Sequence, residues 1–143
     1  MDILTYPFDC YGAIPRPLIL VKIDNYSNPY PALIDTGADF TVFPEHFLDE
    51  LGHCNKSRKV TSAKAGGFGG KAHYFIHTLK ISLLDGNLNP VWDTGKIKVG
   101  FAGGNSGIDS IVLGRDIICG KWRRLMINSE SSTPKNWSVN IFI

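Results

Sequence analysis

Long runs of apolar residues are missing from this sequence of 143 residues. No stretch approaches the roughly 18 consecutive apolar residues that a membrane helix needs. The first residues, Met1–Pro7, also lack the basic segment and the apolar stretch that a secretory signal would show. We therefore expect no membrane partner and no export from the cell.

Charge of a single sign is also missing, because 15 basic residues stand against 13 acidic ones and leave a formal net charge of +2. This balance is too even for a protein that binds nucleic acid or an acidic membrane through its charge. Nucleic acid is therefore not an expected partner.

Cysteine is scarce, and its three positions, Cys10, Cys54 and Cys119, are odd in number and far apart. A disulfide framework is therefore not expected, and reduced thiols indicate a cytoplasmic protein. No spacing of histidine and cysteine matches a zinc pattern, so we expect no metal ion and no other cofactor.

The sequence does contain enough apolar residues for a core (43%), together with 15 glycines and 8 prolines. Its length suits a single domain over residues 1–143, since domains cluster near roughly 100–150 residues. Short apolar runs between turn residues are typical of an all-β barrel or sandwich, here with one or two short helices. The predicted strands are Pro17–Asp24, Tyr30–Asp35, Thr41–Phe43, Lys59–Ala65, Lys71–His77, Leu79–Leu84, Lys96–Phe101, Ser110–Leu113, Arg124–Asn128 and Trp137–Ile143, and the predicted helices are Pro44–Leu51 and Gly114–Trp122.

One segment, Ala32–Asp39 (ALIDTGAD), places an acid where an apolar strand runs into a glycine turn. Burying a carboxylate at a strand end costs free energy unless it has partners, so Asp35 is a candidate functional residue. Gly37 has no side chain and lets another chain or a substrate approach the backbone closely. The segment resembles the active-site loop of the retropepsin-like aspartic proteases, whose signature is a hydrophobic residue followed by Asp-Thr-Gly-Ala.

Three further segments resemble that family and occur in the order expected for it. Gly66–Gly70 (GGFGG) resembles the tip of the family's flap, a mobile hairpin that covers the substrate. Ile111–Asp116 (IVLGRD) resembles the second signature of the family, and Pro15–Leu18 (PRPL) resembles the segment before the first strand in the dimeric protease of some retroviruses. The resemblance implies one retropepsin-like closed barrel over residues 1–143 and an aspartic endopeptidase activity that needs no metal or cofactor.

The chemistry implied by the resemblance needs two carboxylates that share one proton, one acting on a water molecule and the other on the carbonyl oxygen. Asp93–Gly95 repeats Asp-Thr-Gly, but Lys96 follows it where the family has a small residue. We predict a turn between strands there. The chain is also about half as long as two lobes would need. The second Asp35 is therefore expected from a second copy of the chain, in a two-fold homodimer.

The resemblance also implies roles for the residues that follow Asp35. Thr36 would hydrogen bond across the two-fold axis, and Gly37 would bring its backbone to the substrate. Ala38 is the small residue beside the carboxylate pair; some relatives have serine there, whose hydroxyl stabilises an ionised carboxylate. Alanine offers no such donor, so we expect a pH optimum that is mildly acidic to neutral rather than strongly acidic.

Other residues are expected to support the site or to bind the substrate. The resemblance implies that Asp39 and Arg115 form a structural ion pair near the active site, which Arg16 of the partner subunit would join, with Gly114 as further support. The alternative for the three charged residues is that they are surface charges that contribute little to stability. The expected substrate-binding residues are Gly37, Asp39, Gly66, Gly67, Phe68 and Val112.

The implied substrate is an extended peptide of about six to eight residues, with apolar side chains near the cleaved bond, bound in the manner of an added strand. An alternative function is a catalytically inactive module of the same fold that dimerises or binds peptides. A further alternative is an unrelated β-barrel binding domain.

The sequence departs from the compact viral members of the family in two places. The interval between Asp35 and Val112 is longer, and it includes the predicted helix Pro44–Leu51. The C-terminal part adds a hairpin, Arg124–Ile143, where short viral proteases have a single strand. Its apolar end, Val139–Ile143, is expected to be a strand of the dimer interface, since an unpaired apolar strand invites aggregation.

Overall fold

The computed structural model describes the backbone of residues 1–12, 14–52, 61–67, 70–103 and 108–143, and the side chains of these residues apart from 61–67 and 70–73. Within these residues it contains ten strands, two α-helices and one short 3-10 helix, Pro134–Asn136. The strands are β1 (Ile3–Pro7), β2 (Leu18–Ile23), β3 (Tyr30–Ile34), β4 (Val42–Pro44), β5 (Thr61–Gly67), β6 (Gly70–Leu84), β7 (Pro90–Ala102), β8 (Ile111–Leu113), β9 (Arg124–Asn128) and β10 (Ser138–Phe142), and the helices are α1 (Phe47–Glu50) and α2 (Arg115–Ile118).

Six of the strands form a closed barrel. Their order is β2-β3-β8-β4-β7-β6, and an additional pairing between β2 and β6 closes the ring. β5 pairs with the outer part of β6 and extends it into a hairpin. The predicted fold class, an all-β closed barrel with one or two short helices, is confirmed.

Apolar side chains that alternate along the strands fill the barrel. In β2, Ile19, Val21 and Ile23 are buried and the residues between them are more exposed. This is the period of two that a strand shows when one of its faces lies against a core. Phe43 of β4 and Phe101 of β7 meet in the same core, with 5.2 Å between their ring centroids.

The segment Asp93–Gly95 lies inside a strand and not in a turn between strands. β7 is continuous through these residues, and its register with β6 shifts at this point. Gly95 has a positive φ of 66°, and the Thr94 hydroxyl accepts a hydrogen bond from the backbone N–H of Ile81 at 3.1 Å. The predicted turn is wrong because a glycine with positive φ also suits a β-bulge in a continuous strand.

The first predicted helix, Pro44–Leu51, is shorter than its sequence indicates. Pro44 belongs to β4, where it lies opposite Ala102 in the parallel pairing with β7. Only Phe47–Glu50 is helical. Pro44 does not begin a helix, because its own pairing with β7 holds its backbone in the extended conformation.

The second predicted helix, Gly114–Trp122, is also cut short, since the chain leaves α2 through a tight turn. The N–H groups of Lys121 and Trp122 both donate to the carbonyl oxygen of Ile117, at 2.9 and 3.1 Å. A Cβ atom at Gly120 would come within 2.2 Å of a backbone oxygen of α2. The turn therefore requires glycine and ends the helix at this point.

A separate three-stranded sheet brings the two end segments together. β10 is the middle strand and pairs antiparallel with β1 on one side and with β9 on the other. The hairpin of β9 and β10 was predicted, whereas β1 was not. The hydroxyl of Tyr6 in β1 donates to the carbonyl oxygen of Leu84 at 2.8 Å, and burial raises the pKa of Tyr6 to about 12.

β10 is not an open edge strand. Both of its edges are paired within the chain, and Val139 and Ile141 are buried. In the single chain the edges of β10 are therefore taken up by β1 and β9, and the expected place of Val139–Ile143 in a dimer interface stays a prediction. Within the described residues, the unpaired edges of this sheet belong to β1 and β9.

Candidate active site

The segment around Asp35 leaves the barrel wall at the end of β3. β3 pairs in parallel with β8, and the N–H of Asp35 continues that pairing by donating to the carbonyl oxygen of Leu113 at 3.0 Å. The N–H of Ala38 donates to the carbonyl oxygen of Asp35 at 3.2 Å and closes a tight turn. Asp35 is half-buried, whereas Thr36 and Gly37 at the tip are exposed. The acid therefore stands where the core meets solvent.

The turn itself orients the Asp35 carboxylate. Its Oδ1 atom accepts a hydrogen bond from the N–H of Gly37 at 2.9 Å. A Cβ atom at Gly37 would lie 3.2 Å from the same oxygen, so a side chain there would crowd the carboxylate. A carboxylate positioned in this way by its own backbone is preorganised to act on a water molecule or a carbonyl group.

The start of α2 supports this turn from the other side. The N–H of Arg115 donates to the carbonyl oxygen of Ala38 at 2.9 Å. Gly114 packs so closely on Phe40 that a Cβ atom would stand 2.5 Å from the Phe40 carbonyl carbon. The two segments therefore touch backbone to backbone, and this requires glycine. Gly114 and Arg115 lie where the sequence predicts structural support.

Asp39 and Arg115 form an ion pair through Asp39 Oδ1 and Arg115 Nη2. The side chains are 76% and 49% exposed, respectively, so the pair lies at the surface of the single chain. In the single chain a pair this exposed contributes about 0–1 kcal/mol to stability. The pair is therefore not a major support of the isolated fold.

Arg16 pairs within its own chain. Its Nη2 atom lies 3.2 Å from Oδ2 of Asp9, and the backbones of these two residues exchange hydrogen bonds of 2.9 Å. The next residue, Pro17, accepts a hydrogen bond from the N–H of Ile34 at 3.0 Å. Arg16 thus stands beside the strand that leads to Asp35 and pairs with Asp9 in the single chain, and its expected contact with the Asp39–Arg115 pair of a partner subunit stays a prediction.

A buried cluster behind the turn was missed by the sequence reasoning. The Asp116 carboxylate accepts hydrogen bonds from the N–H and the hydroxyl of Thr41, at 3.0 and 2.8 Å. The same hydroxyl accepts a hydrogen bond from the N–H of Gly114 at 3.1 Å, and Thr41 is fully buried. This Thr41–Asp116 clamp ties the end of the active-site turn to α2. The available signal was the acid directly after Gly-Arg in Ile111–Asp116.

Val112 lies in β8, in the strand beside the one that ends at Asp35. It is half-buried, with Leu33 of β3 opposite on one side and Val42 of β4 on the other. This position borders the site, and the contact with substrate that we expected for Val112 stays a prediction.

The glycine segment forms a hairpin, as the sequence predicts. β5 and β6 pair antiparallel up to Gly67, which lies opposite Gly70. Phe68 lies outside the described residues. β6 then passes the active-site turn at Tyr74, whose ring packs edge-on against that of Phe40 with 5.3 Å between the centroids. The hairpin therefore begins beside the loop that carries the acid.

The other acids near the turn are engaged elsewhere, since Asp39 pairs with Arg115 and Asp116 with Thr41. In the described part of the chain, no group of three or more histidine, cysteine or acidic residues is arranged to hold a metal ion. No helix described there is long and apolar enough to span a membrane. The turn itself supplies one carboxylate, that of Asp35, which the backbone N–H of Gly37 orients.

Comparison with solved structures finds the same architecture in known proteins. The EIAV protease, solved with an inhibitor bound, matches with a TM-score of 0.54 and 27% sequence identity, over 78% of this chain and 93% of its own. A retropepsin-like aspartic protease from Rickettsia conorii matches with a TM-score of 0.67 and 16% identity, over 98% of this chain and 89% of its own. No family profile and no curated protein matches the sequence.

The two matches cover most of this chain and most of each known protein, so they compare whole domains rather than a shared motif. The barrel that they share with this chain carries the Asp35 turn at the end of β3 and Gly114–Arg115 at the start of α2. The chain therefore has the retropepsin-like fold, that of the aspartic protease family its motifs resemble.

Proposed function

We propose that this chain is an aspartic endopeptidase that hydrolyses peptide bonds as a homodimer. The observation that carries the proposal is the Asp35 turn, in which an acid at the boundary of the core is held by the N–H of Gly37 and braced by the start of α2. The retropepsin-like fold around this turn supports the same reading.

Each chain contributes one Asp35, so the second carboxylate comes from a second copy. Hydrolysis of a peptide without a metal needs a base for the water molecule and an acid for the carbonyl oxygen. Two carboxylates a few ångströms apart cannot both ionise and therefore share one proton. Thr36, which is exposed at the tip of the turn, would hydrogen bond across the two-fold axis between the copies.

In the proposed reaction, the ionised carboxylate takes a proton from a water molecule whose oxygen attacks the peptide carbonyl carbon. The protonated carboxylate gives its proton to the carbonyl oxygen, which yields a tetrahedral diol. The diol collapses when one hydroxyl returns its proton to the second carboxylate and the C–N bond breaks. The first carboxylate passes the proton taken from water to the leaving nitrogen, so the pair regains its single shared proton.

The hairpin of β5 and β6 would act as the flap over an extended peptide of about six to eight residues. The packing of Tyr74 on Phe40 supports this, because it places the base of the hairpin beside the active-site turn. Such a lid excludes water and holds the peptide through main-chain hydrogen bonds. The residues proposed to contact the peptide are Gly37, Asp39, Gly66, Gly67, Phe68 and Val112.

We assign the whole of residues 1–143 to one domain, because a single cluster of buried residues joins the barrel to Val139 and Ile141 of the terminal sheet. We also propose that the protein works in the cytoplasm without a metal or other cofactor. The exposed free thiols of Cys10 and Cys119 suit a reducing compartment. Cys54 lies outside the described residues.

Asp35→Asn tests the proposal, with Asp93→Asn as a matched control. Both acids begin an Asp-Thr-Gly triplet, but Asp93 lies in the bulge of β7. In a cleavage assay with a peptide library, we expect Asp35→Asn to lower kcat/KM by about 10³-fold or more, as for the loss of a group that acts in the chemical step. Asp93→Asn should retain the wild-type rate, and pepstatin, which mimics the tetrahedral intermediate, should inhibit both active proteins.

Unchanged cleavage by Asp35→Asn would show that the two-carboxylate mechanism is wrong. A wild-type protein that binds peptides but cleaves none of them at any pH would instead be the inactive peptide-binding module of the same fold.

A further inference from the structure

We propose that two copies of the chain join through the outer edge of β9, so that a six-stranded sheet with the order β1-β10-β9-β9-β10-β1 spans the dimer. This inference rests on the proposed function, because it concerns how the second Asp35 reaches the site. The starting observation is that the three-stranded sheet is complete within each chain, with β10 paired on both sides.

The outer edge of β1 is a poor site for a further strand. Asp2 and Ile143 exchange backbone hydrogen bonds of 3.3 and 3.0 Å, and the N–H of Phe8 donates to the carbonyl oxygen of Trp137 at 3.1 Å. Backbone groups alternate in direction along a strand. The backbone nitrogen and carbonyl group of Pro7 therefore point away from β10, toward the open edge. Proline has no N–H to donate, and proline on an edge discourages pairing with another chain.

The outer edge of β9 has no such block. Met126 lies opposite Asn140 of β10, and the same alternation directs the backbone groups of Leu125 and Ile127 toward the open edge. Met126 and Ile127 are 36% and 50% exposed. Neither proline nor a charged side chain interrupts this Leu-Met-Ile segment, so the edge offers both backbone hydrogen bonds and apolar surface.

A two-fold axis at Met126 makes this edge complementary to itself. Met126 then lies opposite its own copy, and Leu125 of each chain lies opposite Ile127 of the other, so that apolar side chains meet. Arg124 falls opposite Asn128 and not opposite another arginine. Like charges facing each other across a strand pair are destabilising, and this register avoids them.

This edge also lies close to the element that supports the active site. The N–H of Arg115 at the start of α2 bonds the active-site turn at Ala38. After α2 the N–H of Trp122 donates to the carbonyl oxygen of Ile117 at 3.1 Å, and the N–H of the next residue, Arg123, donates to Phe142 of β10 at 2.8 Å. The edge of β9 is therefore joined to the helix that braces the Asp35 turn by one tight turn of the chain.

Substitution of Met126 by residues of opposite charge tests whether Met126 lies opposite its own copy in the β9–β9 pairing. Met126→Lys and Met126→Glu, each alone, place like charges at the axis, and each should raise the dissociation constant of the dimer by about tenfold or more. An equal mixture of the two variants should regain both the dimer and peptide cleavage, since lysine then faces glutamate. Ile3→Lys is the matched control, because Ile3 is an apolar residue of β1 with 54% exposure and should tolerate lysine without dissociation.

Sedimentation velocity, with circular dichroism as a check on folding, separates the outcomes. Met126→Lys that stays dimeric and active would overturn the β9 interface and leave the proposed function standing. Dissociation by Ile3→Lys instead would place the interface at β1 and overturn the proposal. If the Met126 variants dissociate as expected but the wild-type dimer cleaves no peptide, the interface is supported and the proposed function is wrong.

Hydrogen exchange of the wild-type protein decides the matter if the variants do not fold. The amides of Leu125 and Ile127 should exchange about tenfold more slowly at protein concentrations where the dimer forms, because they become hydrogen bonded. The amides of Ile3 and Thr5 should show no such change. Absence of this protection in a protein that dimerises would overturn the proposal.

Discussion

Replacing Thr41 with valine tests the Thr41–Asp116 clamp that holds the active-site turn against α2. Valine keeps nearly the same shape and replaces the hydroxyl with a methyl group, which neither donates nor accepts a hydrogen bond. The buried N–H of Gly114 then loses its acceptor, and the Asp116 carboxylate loses the hydroxyl donor at 2.8 Å. The carboxylate keeps the backbone N–H of residue 41 at 3.0 Å, so one part of the clamp survives.

These two lost hydrogen bonds determine how much the substitution lowers the free energy of unfolding. A hydrogen bond to a charged group contributes about 1.5–3 kcal/mol, and a buried N–H without a partner costs about 1–3 kcal/mol. Both involve one hydroxyl, so the terms do not simply add. We expect Thr41→Val to lower the free energy of unfolding by about 3 kcal/mol. Thr41→Ser keeps the hydroxyl, removes one buried methyl group, and should cost about 1 kcal/mol.

Urea unfolding at a fixed protein concentration measures the stability of both variants. The expected result is a lower midpoint of the unfolding transition with an unchanged dependence of the free energy on urea concentration. The variant without the hydroxyl should also lose more peptide cleavage than Thr41→Ser, because the clamp anchors the turn that carries Asp35. If the two variants agree in stability within about 0.5 kcal/mol, the clamp does not have the role assigned to it.

Three further predictions concern other parts of the molecule. Gly114→Ala should lower the free energy of unfolding by about 3 kcal/mol or more, because its Cβ would meet the backbone of Phe40, whereas Gly86→Ala, with open space around it, should change it by less than about 0.5 kcal/mol in the same urea assay. Burial raises the pKa of Tyr6 from 10.0 to about 12 in the folded protein. The contribution of the neutral Tyr6 side chain to stability is therefore complete below pH 10 and is lost as the pH rises toward 12. Between pH 9 and pH 11 the wild type should therefore lose on the order of 1 kcal/mol more stability than Tyr6→Phe, after allowance for partial exposure, and equal losses would contradict this reasoning. Ala38→Ser should move the pH optimum of peptide cleavage to a more acidic value through its added hydroxyl, and an unchanged pH profile would rule that explanation out.

The parts of the site that the sequence predicts well depend on residues close together along the chain. The N–H of Gly37 reaches the carboxylate of Asp35 only two residues away. The hairpin of β5 and β6 likewise needs only a glycine turn between two β-forming runs, and its paired backbone follows the prediction up to Gly67. Local chemistry determines such features, so a single sequence is enough to find them.

The triplet Asp93–Gly95 shows where that local reasoning stops. The carboxylate of Asp93 accepts a hydrogen bond from the N–H of Gly95 at 2.8 Å, as the carboxylate of Asp35 does from Gly37. The two triplets thus share their residues and their local hydrogen bond. They differ because β6 pairs alongside the second one and makes it a bulge, while the first one leaves the barrel wall.

The sequence by itself determined the acid-bearing turn, the glycine hairpin and the all-β class, because each follows from residue types that are neighbours in the chain. Tertiary structure alone decided the clamp between Thr41 and Asp116, which lie 75 positions apart, and the pairing of β10 with both β1 and β9. These contacts join segments that are distant along the chain, the clamp through the side chains of Thr41 and Asp116 and the sheet through backbone groups that every residue carries, so neighbouring residues alone do not determine them. The edge that remains open for a second copy is likewise a property of the assembled sheet.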